Sequence, residues 1–322
     1  MPNYQGVWSL SEQYQNASGW PLGPLTGDIA LFGNASNSTP LDAIQISTTG
    51  NSTTWGVLGV NHSYAGATGN STRGIIFGGI SAGQTITYVT TANQGSYGDF
   101  GDCVTVGGTY NNSGAHASDT RGLFFGPYNS NNQITIEYVT IASTGNATNF
   151  GNMFARRQSG AGTGSSTRAV IAGGYLPASA TYTNTMDYVT IASTGNSLDF
   201  GDLLNTSGGN SACSSSTRSL FAGGWISGGV RSNTIAYITT ASTGNAIDFG
   251  DLTTNNGNYN TGDWSASNKT RGLFFNNQNT AADVQYVTIA STGNTASFGD
   301  LTNNGSSTAN GFSLSNSHGG LS

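Results

Sequence analysis

The chain has 322 residues and a net charge of -6, with only 7% of residues charged and 48 glycines. Five of its nine basic residues recur at repeat positions, which leaves no basic stripe to meet phosphate and excludes nucleic acid as a partner. Low charge with abundant glycine would suit disorder, but disordered chains lack the aromatic and β-branched residues that return here at fixed spacing.

Residues 1–26 stand outside the repeat that governs the rest. The opening MPNYQGVWSL has neither a basic n-region nor an apolar h-region, so no secretory signal is expected. Ser9-Leu-Ser-Glu12 reads as a capping box, which predicts a short helix from about Leu10 to Asn16. Trp8, Tyr14 and Trp20 give it an apolar side, and Pro21 and Pro24 end it. The segment either folds onto a blade's edge or docks a partner subunit, with those three aromatics as anchors. No apolar run in the chain approaches the roughly 20 residues of a membrane span.

From residue 27 to 322 one phrase pair returns about every 50 residues, the signature of a propeller-like array. A threonine-arginine pair opens it at Arg73, Arg121, Arg168, Arg218 and Arg271. A tyrosine-bearing strand follows at Tyr88, Tyr138, Tyr188, Tyr237 and Tyr286, and a Phe-Gly pair closes it from Phe100, Phe150, Phe200, Phe249 and Phe298. Ile29 to Gly33, Ile44 to Ile46 and Trp55-Gly56 form a diverged first copy, which makes six. Each copy predicts four short strands. Around Ser207 these are a small inner strand at Ser211 to Ser215, a buried one at Ser219 to Ala222, an alternating one at Thr234 to Thr240, and an outer one from Ala246. Ser242-Thr-Gly-Asn245 reads as the hairpin turn before the last strand. The final stretch, Asn310 to Ser322, aligns with an inner strand, with His318-Gly319 in place of Thr-Arg. It is expected to complete the first blade and close the ring. The expectation is one all-β domain, a six-bladed propeller with a short amino-terminal extension.

The repeat arginines could form a ring that binds an anion or a sugar acid. The structural reading has each one bond backbone carbonyls, or the recurrent aspartates Asp102, Asp202, Asp251 and Asp300. The gaps in register favour it: Asn152 replaces one aspartate and Gly319 one arginine. His62, His116 and His318 share no metal-ligand spacing. His116 aligns with Thr68, Thr163, Cys213, Ala266 and Leu314 on the inner strands, and so is placed facing the axis. Cys103 and Cys213 occupy different repeat positions and suggest no disulfide framework. No cofactor, metal site or catalytic set is expected, and the chain reads as a non-enzyme. Variable loops carrying Tyr175, Tyr182, Trp225, Tyr259 and Trp264 are the candidate binding loops, against the alternative of plain loop drift.

The apolar strand ending in Gly-Gly, the tyrosine strand and the later aromatic resemble the kelch repeat. The phrase YVTIASTGN-x-x-x-FGDL, with GVWSLSEQYQ near the amino terminus, resembles repeat proteins of tailed bacteriophages of marine bacteria, cyanophages included. That resemblance covers nearly the whole chain. It implies a virion structural protein of the tail or fibre, made in the host cytoplasm, with other virion proteins or a host-surface glycan or protein as partners. A capsid-surface decoration protein and a carbohydrate-active enzyme are the alternatives.

Overall fold

In the computed structural model the described residues are 27–33, 40–79, 82–104, 114–126, 134–253, 264–275, 283–302 and 311–321. The expected helix at Leu10 to Asn16, and with it Trp8, Tyr14 and Trp20, lies outside them, as does Tyr259. The described residues are all-β, and among them no helix is long and apolar enough to cross a membrane.

Their strands assort into antiparallel sheets in a β-propeller arrangement. The second sheet sets the pattern, running outward through Gly66–Gly69, Arg73–Phe77, Thr85–Thr90 and Tyr97–Asp102. The third repeats it with Ala115–Ala117, Arg121–Phe125, Thr135–Thr140 and Thr148–Asn152. The fifth does so with Ser211–Ser214, Arg218–Ala222, Thr234–Thr239 and Ile247–Asp251, and the sixth with Ser265–Ser267, Arg271–Phe275, Asp283–Thr288 and Ala296–Asp300. The first sheet takes Ile29–Gly33, Pro40–Gln45 and Thr53–Val57 from one end of the chain and its inner strand, Phe312–Ser315, from the other. Leu31 stands opposite Leu314 in that pairing.

Five blades are seen where six were expected, and the fourth sheet is the departure. Five sheets are regular four-stranded blades, whereas this one runs to seven strands. It begins regularly with Ala161–Gly164 and Arg168–Ala172. Its third and outer strands, Thr181–Thr190 and Leu198–Gly208, are ten and eleven residues long. The extra length recruits Tyr175–Leu176 on one side and Trp225–Ile226 with Val230–Arg231 on the other. The added strands come from the variable segments after the glycine pairs, where sequence alone showed loops.

The core lies between neighbouring sheets rather than within one. Ile75, Phe77 and Phe100 of the second sheet pack with Phe124, Val139 and Ile141 of the third, and Phe77 stacks on Phe124 at 5.4 Å. Trp55 and Leu41 of the first sheet meet Ile76 and Val89 of the second, and Phe32 and Ile44 meet Leu273 and Phe298 of the sixth. Each fully buried side chain of this size contributes about 1.5–3 kcal/mol. In every sheet the aromatic before the recurrent glycine sits in a β-bulge, where the register slips by one residue. The extra residue turns the ring inward and leaves the two residues before it exposed in five sheets, Gly98 of the second being half-buried.

Candidate functional site

Three groups of polar side chains stand out. They are the repeat positions at the sheet boundaries, a set of buried anchors beneath the variable segments, and the axial cavity.

At the boundaries, each repeat arginine sets its guanidinium carbon over the tyrosine ring of its own sheet, 4.7–4.9 Å from the ring centre. The tyrosine in turn meets the bulged phenylalanine edge-on, as Tyr188 meets Phe200 at 5.8 Å. The guanidinium then reaches into the following sheet. Arg73 donates to the carbonyls of Ile141 and Ala142, Arg121 to Ile191 and Ala192, Arg168 to Thr240 and Ala241, and Arg218 to Ile289 and Ala290. Arg271 donates to Ile46 of the first sheet at 3.2 Å. A charged donor stacked on a ring and bonded to carbonyls holds its charge without a carboxylate.

Asp102, Asp202, Asp251 and Asp300 act through their backbone. The main-chain N–H of each donates to an asparagine Oδ1 of the next sheet: Asn146, Asn245, Asn294 and Asn51, at 2.9–3.0 Å. Asn152 does the same toward Asn196, which explains why that copy needs no aspartate. The Ser-Thr-Gly-Asn segment is therefore more than a hairpin turn. Its glycine N–H also donates to the phenylalanine carbonyl of the preceding sheet, from Gly145 to Phe100, Gly195 to Phe150, Gly244 to Phe200, Gly293 to Phe249, and Gly50 to Phe298. These bonds cover the outer strand's free edge, which would otherwise be open to another chain.

The arginine position of the first sheet needs a correction. The register puts Ile29 there, opposite Gln45 as Arg73 is opposite Thr90, with Ala43 in the tyrosine position. His318-Gly319 does not replace the Thr-Arg pair. Arginine and tyrosine are lost together, and the buried Trp55 fills the space.

The second group was missed by sequence reasoning. The connections entering the second, fourth and fifth sheets each bury a donor that bonds the carbonyl of a recurrent glycine. His62 bonds Gly78 at 2.6 Å, Arg157 bonds Gly173 at 3.1 Å, and Asn210 bonds Gly223 at 2.7 Å. In the second and fourth sheets the residue before the tyrosine supplies a second partner, whereas Asn210 accepts from the Ser207 hydroxyl. Thr87 meets His62 at 2.7 Å, and Asp187 forms a 2.9 Å ion pair with Arg157. Glu137 and Gln285, at the same position, accept the N–H of Val104 and Thr253. A polar residue between two apolar ones on a buried strand was the available signal. Burial holds His62 down to about 4 from 6.5, opposed by its bond to Gly78. Burial also lowers the pKa of Arg157, and the Asp187 carboxylate opposes that.

The axial cavity, about 40 Å³, is lined by Thr68, His116, Thr163, Cys213, Ala266 and Leu314 among others. These are the six residues the sequence alignment placed facing the axis. Serine hydroxyls knit the inner strands around it: Ser313 and Ser265 exchange bonds, Ser265 donates to Ala212, and Ser267 donates to Ser214. The alignment did not show that His318 joins His116, with ring centres 5.4 Å apart. His318 Nδ1 accepts the Gly320 N–H, so its Nε2–H donates to the Gly69 carbonyl. His116 Nε2 bonds the Ser165 carbonyl. Burial, with the neighbouring His318, lowers His116 to about 3, and burial lowers His318 as well. A cavity of this size has room for water-sized molecules.

The candidate binding-loop aromatics divide. Tyr175 and Tyr182 face each other edge-on at 5.7 Å across the added strand pair and are half-buried. Trp225 is buried with Arg231 over its ring at 4.9 Å. Trp264 is buried and stacked on Phe275 at 4.5 Å. The two tryptophans are thus core residues rather than a stacking surface for a ligand. Cys103 and Cys213 are buried and not joined in a disulfide, and burial pushes the Cys103 thiol pKa upward. Compared with known proteins, the sequence matches no family model and no curated protein.

Proposed function

We propose that the chain is a non-enzymatic structural and binding component of a bacteriophage particle, associated with the tail or fibre, where it contacts the host surface or a neighbouring virion protein. Its propeller is a closed ring of six blades, with the seven-stranded fourth sheet counted among them and Phe312–Ser315 as the closing strand. Residues 1–26 are its docking segment.

One observation carries this reading. The residues that repeat are used to join sheets. Arginine, tyrosine, glycine, asparagine and phenylalanine of the recurrent phrase all bond or pack across or beside a sheet boundary. A fold that devotes its recurrent chemistry to its own rigidity suits a scaffold, and leaves contact with partners to positions that differ between copies. The likeness of the phrase to tailed-phage repeat proteins supplies the virion setting.

The test is location. Gold-labelled antibodies against the propeller, applied to intact particles of the phage that encodes it, are expected to mark the tail or its fibres. Label on the capsid shell would favour a decoration protein, and purified particles lacking the chain would overturn the proposal.

A further inference from the structure

Among the described residues eight large apolar side chains face solvent; Val57, Tyr97 and Val104 belong to the first and second sheets, and the other five gather around the fourth. Phe154 is 80% exposed, Leu198 60%, Ile247 58%, Val230 54% and Leu204 43%. The Phe154 N–H donates to Ser197 Oγ, which sets it beside Leu198 across the boundary between the third and fourth sheets. Leu204 lies two residues past Asp202, whose carbonyl accepts from Ala246, the neighbour of Ile247. The same pair of positions is thus occupied at the boundary between the fourth and fifth sheets. At the second-to-third boundary these positions hold Val104 and Thr148, so only one of the two is apolar; at the fifth-to-sixth they hold Thr253 and Ala296, and at the sixth-to-first Thr302 and Thr53. The apolar pairs occupy two consecutive boundaries, flanking the sheet that grew extra strands.

A carboxylate accompanies each pair. The bulge that turns Phe200 and Phe249 inward leaves Leu198-Asp199 and Ile247-Asp248 both exposed. The ion pair found among the described residues, Arg157 with Asp187, involves neither aspartate. An apolar surface flanked by free carboxylates repels anionic lipid and nucleic acid. It also suits a second copy poorly. The five repeat arginines are bonded to carbonyls, Arg157 is buried and Arg231 lies over Trp225, so most of the nine basic residues are engaged within the chain.

We propose that the rim of the fourth and fifth sheets, centred on Leu198, Asp199, Ile247 and Asp248, is the docking surface for a different protein, through a segment that presents apolar side chains next to lysine or arginine. This rests on the reading of the chain as a scaffold with protein partners. It adds which face is used and what chemistry the partner carries. Apolar contact supplies area, and the paired charges set register and speed the encounter.

The experiment is selection of a displayed random peptide library on the immobilised full-length protein. A counter-selection uses the quadruple variant Leu198→Ser, Asp199→Asn, Ile247→Ser, Asp248→Asn. All four residues are exposed, so the variant should melt with the wild type, and Leu198→Thr with Ile247→Thr serves if it does not. The expected result is enrichment of sequences pairing Leu, Ile or Phe with Lys or Arg. Their binding should fall at least tenfold on the variant and weaken as salt rises. Enrichment of acidic sequences, enrichment equal on both proteins, or no enrichment would overturn the proposal. So would self-association by sedimentation, or capture on phosphatidylglycerol vesicles, that the variant abolishes. Failure here would leave the particle-location test untouched.

Discussion

Asn245 accepts the main-chain N–H of Asp202 at 3.0 Å, across the boundary between the fourth and fifth sheets. The asparagine side chain is the reaching partner, and the aspartate contributes only its backbone. Asn245→Ala is therefore expected to lower stability by about 0.5–1.5 kcal/mol, the net worth of one such bond. Asp202→Asn is expected to stay within about 0.5 kcal/mol of wild type. Urea melts at constant slope check both, and equal losses would contradict the backbone role.

Arg168 stacks on Tyr188 at 4.7 Å and donates to Thr240 and Ala241. Replacing it by alanine is expected to lower stability by about 1–3 kcal/mol. Lysine should recover only part of the loss, because an ammonium cannot lie flat on the ring while reaching both carbonyls. If Arg168→Ala melted like wild type but lost binding to a partner, the arginines would be ligand-binding after all.

Gly151 and Gly195 give a paired contrast at one boundary. A methyl group on Gly151, at φ 157°, would run into the carbonyl of Gly195, while one on Gly195 would meet open space. Gly151→Ala is expected to cost at least about 2 kcal/mol, and Gly195→Ala to change little. Thermal melts of the two variants decide it.

His62 and His116 are held neutral by burial, at about 4 and about 3 against 6.5 for a free side chain. The unfolded chain takes up these protons first as pH falls, so their contribution is complete above about 6.5 and declines toward 4 and below. Melting temperature should drop over that range, and His62→Asn should drop less steeply. Parallel curves would show that His62 is not among the groups responsible.

The sequence displayed the repeat, the strand order within it and the six axis-facing residues, because each follows from a period that composition cannot hide. Joint use of the recurrent residues was harder to see. The asparagine of Ser-Thr-Gly-Asn looked like a turn residue because its partner, the Asp N–H, lies about one repeat away in the chain. The pairing of His116 with His318 was illegible for the same reason, since the two share no spacing. Trp225 and Trp264 were assigned to loops because polar neighbours surround them, yet a large ring at a strand's edge is drawn into the nearest apolar space. The bulges at Phe200 and its counterparts escaped notice because a one-residue slip leaves the repeat length unchanged.

The proposed closing of the ring is tested most directly at its carboxy-terminal strand. Without residues 311–322, Ile29–Gly33 would lose its partner Phe312–Ser315, Ser265 and Ser267 would lose their hydroxyl partners, and Gly69 would lose His318. The measurement is the thermal melt of the chain truncated after residue 310. Aggregation is expected, or a melting temperature lower by more than about 10 °C, as edges open on both sides. A soluble truncated chain that melts with the full-length protein would contradict the closed ring.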